Sequence, residues 1–79
     1  MFVTEYIIKW KGVKGIYVRA IFNKYGSILG WGIFEGQNFI LSKIDCRFHC
    51  LPEEMDEEFF VTFTFKTAED AISICEKNC

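Results

Sequence analysis

Apolar and polar positions alternate along most of this chain, and a period of two predicts β-strands. In residues 3–11, Tyr6, Ile8 and Trp10 alternate with Glu5, Ile7, Lys9 and Lys11, a set of aromatic, β-branched and charged residues suited to a half-buried pleated surface. The segment from Gly12 to Gly15 supplies a turn. Ile16, Val18, Ala20 and Phe22 then line one face of a second strand, with Tyr17, Arg19, Ile21 and Asn23 on the other, and the two segments are expected to pair as a hairpin. Asn23-Lys24-Tyr25-Gly26-Ser27 holds residues that tolerate positive φ and predicts a second turn. A third strand follows over about 28–35. Its Gly30 and Gly32 flank Trp31, and such glycines either make room in a curved strand for a neighbouring aromatic or line a docking site around Trp31.

Glu35-Gly36-Gln37-Asn38 makes a third turn and a fourth strand begins near Phe39. From residue 43 the alternation places Ile44, Cys46, Phe48 and Cys50 inward and Lys43, Asp45, Arg47 and His49 outward, up to Leu51-Pro52. Pro52 and the acids after it suit the start of a short helical turn. Phe59 to Phe65 alternates most strongly of all, with Phe59, Val61, Phe63 and Phe65 opposite Phe60, Thr62 and Thr64, and predicts a central strand. Thr67 then caps a helix over about Ala68–Lys77, whose apolar stripe of Ala68, Ala71, Ile72 and Cys75 must lie on the sheet.

The pattern therefore predicts an α+β fold: an antiparallel β-meander of four to five strands with one C-terminal amphipathic helix packed on one face. Its 79 residues allow a single domain, 1–79, and the 51% apolar and 18% aromatic content supplies a dense core. No signal-like opening and no apolar run of spanning length is visible, so the expected location is the cytoplasm, with reduced thiols. Cys46, Cys50, Cys75 and Cys79 are read as buried thiols, with a strand–helix disulfide, a metal site including His49 or a redox role as alternatives.

Net charge changes this picture, because the overall −2 conceals +4 in residues 1–44 and −6 in residues 45–79. Such polarity suits a charged partner. The densest acidic run, Glu53, Glu54, Asp56, Glu57 and Glu58, is a candidate partner-binding surface that could imitate a row of phosphates, or else a solubilising loop. Tyr17, Arg19 and Trp31 form a second candidate on the basic half. With Lys9, Trp10, Lys11, Lys14, Lys24 and Tyr25 they suggest base stacking and phosphate contact, although a pI near 5.3 disfavours nucleic acid as the main partner. His49 is the single histidine, and no nucleophile turn or phosphate-cradling glycine pattern occurs, so no enzyme activity and no cofactor are expected.

The ending Phe65-Lys66-Thr67-Ala68-Glu69-Asp70-Ala71 and the opening Tyr6-Ile7-Ile8-Lys9 resemble those of small phage and prophage accessory proteins. Together with small size and acidic pI they look like anti-defence, anti-CRISPR-type inhibitors. That resemblance implies a stoichiometric, non-catalytic inhibitor that blocks a larger host complex handling nucleic acid, acting in the host cytoplasm. A nucleic-acid-binding β-sheet module is the alternative, and a homodimer is compatible with either.

Overall fold

The computed structural model describes residues 5–10 and 13–77. The expected strand start before Glu5, Lys11, Gly12 and Cys79 lie outside the described residues, as do the side chains of Lys9, Trp10 and Lys14. Five antiparallel strands follow one another as a meander, β1 (Glu5–Trp10), β2 (Val13–Phe22), β3 (Ile28–Glu35), β4 (Phe39–Leu41) and β5 (Phe48–Cys50). Two helices, α1 (Glu57–Phe63) and α2 (Ala68–Lys77), complete the chain, and the fold is α+β as the pattern predicts.

The β2–β3 turn closes where expected. Gly26 takes φ +84°, and the Asn23 side chain accepts from the backbone N–H of Tyr25 and of Ser27 at 2.9 and 3.0 Å. Register then pairs Val18 with Ile33 and Arg19 with Gly32. Alternation sends Ile16, Val18, Ala20, Trp31, Ile33 and Leu41 to one face, where they pack with Ala71 and Cys75 of α2. Ile21, Phe34 and Ile40 point to the other and pack with Phe59 of α1. The helices thus cover opposite faces.

Phe59–Phe65 is where the expected central strand fails. Asp56 caps α1 by accepting from Phe59 N–H at 2.8 Å, and Glu57 and Glu58 occupy the first turn, where carboxylates favour helix. Helical spacing turns Phe59, Phe60 and Phe63 toward one cluster and leaves Val61 outside, 71% exposed. Only Phe65 behaves as strand: it exchanges both backbone hydrogen bonds with Trp31, at 2.7 and 2.8 Å. At α2 the expectation holds, with Thr67 Oγ1 accepting from Asp70 N–H at 3.1 Å.

The stretch from residue 43 also departs from the expected strand. Residues 42–47 form a loop in which Cys46 adopts φ +56°, a left-handed conformation that breaks the alternation. Ile44 is therefore 80% exposed, and Cys46 and Cys50 lie at the surface instead of in the core.

Gly32 faces the α1 side, where an added Cβ would sit 2.9 Å from both Ile40 Cδ1 and the Phe34 ring. Both neighbours are buried and cannot retreat freely. Gly32→Ala is expected to cost about 1–3 kcal/mol through overpacking. Urea unfolding checks this, and an unchanged midpoint would show that the ring has room to move.

Candidate partner-binding surfaces

The acidic segment links β5 to α1, and Glu53, Glu54, Asp56, Glu57 and Glu58 are all exposed. They are not equivalent. Asp56 is committed to the helix, its carboxylate receiving Phe59 N–H and its carbonyl receiving Phe60 N–H at 3.2 Å. Glu57 and Glu58 project from the first turn, where their charge also complements the positive end of the backbone dipoles. Glu53 and Glu54 have no such structural duty. The segment is anchored behind by Phe59, 4% exposed, whose ring lies 5.3 Å from those of Phe60 and Phe63. Lys43 N–H donates to the Thr62 carbonyl at 2.9 Å and ties the β4–β5 loop to the same helix.

The second candidate set divides. Tyr17 and Arg19 lie on the α1 side of the sheet, on a part that α1 does not reach. Arg19 is held there by Glu5, at 2.7 Å, and its guanidinium lies 5.1 Å from the Phe34 ring centroid and 5.4 Å from that of Tyr17. Gly32, opposite Arg19 in register, leaves the space that the Phe34 ring fills. Trp31 points to the α2 side, 9% exposed, and packs in the core with Phe65 and Tyr6 nearby. It does not join Tyr17 and Arg19, and the glycines beside it serve packing on the opposite face.

Around the β4–β5 loop, His49 Nε2 and Asp45 Oδ2 are 2.8 Å apart, and the His49 ring meets that of Phe63 edge-on at 5.9 Å. Partial desolvation pushes the Asp45 carboxyl up, but hydrogen bonds from His49 and from Arg47 N–H outweigh it and hold the group below its ordinary value. A carboxyl lowered in this way steadies the loop at neutral pH, and the contribution is lost as pH falls through its depressed folded-state value. Cys46 and Cys50 are free thiols, so neither forms the strand–helix disulfide, and among the described residues no group of His, Cys, Asp and Glu is arranged to hold a metal.

One surface was not anticipated. Leu29, Phe60, Val61 and Phe65 line a shallow groove rimmed by Lys43, Lys66 and Glu57, with the Lys43 ammonium 4.8 Å from the Phe65 ring centroid. It exists because residues 57–63 are helical, and the Asp56-Glu57-Glu58 cap was the signal that could have revealed it. Among the described residues, no helix is long and apolar enough to cross a membrane. Comparison with family models, with curated proteins and with solved structures finds no match to this chain.

Asp56→Ala is expected to cost about 0.5–2 kcal/mol through loss of the cap, while Glu53→Gln and Glu54→Gln leave the urea midpoint nearly unchanged. Ellman's reagent should label Cys46 and Cys50 rapidly in the native protein and Cys75, 2% exposed, only on unfolding. Slow labelling of Cys46 would contradict its position in the loop.

Proposed function

We propose that the protein is a small non-catalytic binding module of the phage or mobile-element inhibitor type, which occludes a basic, nucleic-acid-handling surface of a larger host complex in the cytoplasm. The observation that carries this reading is the acidic segment. Five carboxylates within residues 53–58 stand exposed around one helix start, and four of them are free of the capping bond that holds Asp56. Closely spaced like charges repel and persist only where water and ions screen them, so their favourable counterpart is a cationic groove that normally holds phosphates.

The alternative, direct nucleic-acid binding by the sheet, draws less support. Trp31 is in the core, and Arg19 already has Glu5 as its counter-ion. The partner is first recovered from host lysate with the native protein as bait and identified by mass spectrometry. Glu53, Glu54, Glu57 and Glu58 are then changed together to Gln, Asp56 being left in place to keep the helix. Association with that partner is expected to slow by about tenfold or more and to lose most of its salt dependence. Unchanged kinetics in the folded variant would overturn the proposal, and salt-sensitive binding of the native protein to an oligonucleotide would favour the alternative.

A further inference from the structure

The sheet has two outer strands, and the fold treats them differently. β5 has three residues, and the edge of β3 beyond β4 is met at Trp31 by Phe65. β1 has six, and its outer edge receives no partner among the described residues.

The direction of its backbone groups follows from register. Gly36 N–H donates to the Gly15 carbonyl at 3.1 Å, continuing the pairing of Ile16 with Glu35, so residues 15, 17 and 19 turn their backbone groups toward β3. Residues 16 and 18 turn theirs toward β1, where they meet Ile8 and Tyr6. Glu5 and Ile7 are left with N–H and C=O directed outward. The Ile7 side chain is 79% exposed on the sheet face that α1 leaves open.

We infer that β1 is a dimerisation edge, taking a second copy of this chain in antiparallel pairing about Ile7. Outward-facing backbone groups on a strand of this length are a template for another strand. The sequence Glu5-Tyr6-Ile7-Ile8-Lys9 makes that strand a copy of itself. A two-fold axis through Ile7 exchanges both backbone bonds between the two Ile7 residues and brings the exposed isoleucines together. It also puts the acidic position 5 of each copy in register with the basic position 9 of the other, and symmetry repeats that match. Glu5 keeps Oε1 on Arg19 of its own chain, so its other oxygen is the one that faces across. The inference is independent of the acidic segment, which lies on the far side of the sheet order.

Sedimentation velocity over a range of concentrations up to about 1 mM tests it. The native protein is expected to show a reversible monomer–dimer equilibrium. Ile7→Pro removes the outward N–H at an edge position where proline is tolerated, and Ile7→Lys places like charges opposite one another at an exposed site. Each should weaken the dimer at least about tenfold with an unchanged circular dichroism spectrum. If the proline variant unfolds, the lysine variant decides. A native protein that stays monomeric throughout overturns the inference. So does a dimer that Ile7→Lys leaves intact, and that result would redirect attention to the Leu29–Val61 groove. The four-Gln variant of the acidic segment should dimerise as the native protein does, which keeps this outcome separate from that of the proposed function.

Discussion

The two backbone hydrogen bonds between Trp31 and Phe65 are the constraint on which the two-sided arrangement depends. α1 and α2 are separated by only residues 64–67, yet they cover opposite faces of the sheet. A connection that short has to pass round a sheet edge, and it would leave polar backbone groups stranded unless the edge received them. β4 supplies the opening, because it pairs with β3 only at Phe34 and Glu35 and leaves Trp31 available. Gly30 supplies the clearance, since a Cβ there would stand 3.2 Å from Thr64. The crossing and the protection of the β3 edge are therefore one interaction.

Cover on both faces explains the density of the core. β3 is buried at five consecutive positions, from Gly30 to Phe34, because both sides of it are roofed. Away from this region the cover becomes one-sided. Glu5, Ile7, Tyr17 and Arg19 occupy the face that α1 does not reach, and there they are exposed or half-buried while Ile16 and Val18, facing the other way, are fully buried, the one-sided burial of an open antiparallel sheet. The Arg19 guanidinium over Phe34 marks the border between the two regimes.

β1, β3 and α2 were legible in the sequence because pattern, turn residues and caps agreed there, and so was β2 except at its start, where Val13 to Gly15, expected in the turn, already belong to the strand. Two stretches were not, for different reasons. Phe59–Phe65 has the alternation and aromatic content of a strand, and intrinsic preference was overruled by the Asp56 cap and by a cluster that accepts Phe59, Phe60 and Phe63 from one side. The Cys46 loop was hidden because a left-handed residue that is not glycine leaves no compositional mark. Of the candidate site, the acidic segment was readable as charge density, but the separate role of Asp56 required the helix to be known. Trp31 parts from Tyr17 and Arg19 because strand register, which the sequence does not display, pairs it with Ala20 and puts Gly32 opposite Arg19.

The capping of α1 by Asp56 bears on how the acidic surface would meet anything. A flexible charged loop must lose conformational freedom when it is gripped, and that loss subtracts from affinity. Here Glu57 and Glu58 already stand on a helix turn whose geometry is fixed from behind by Phe59 and from the side by the Lys43–Thr62 hydrogen bond. Their Cα positions are set before any encounter, so the entropy lost on contact is confined to side-chain torsions.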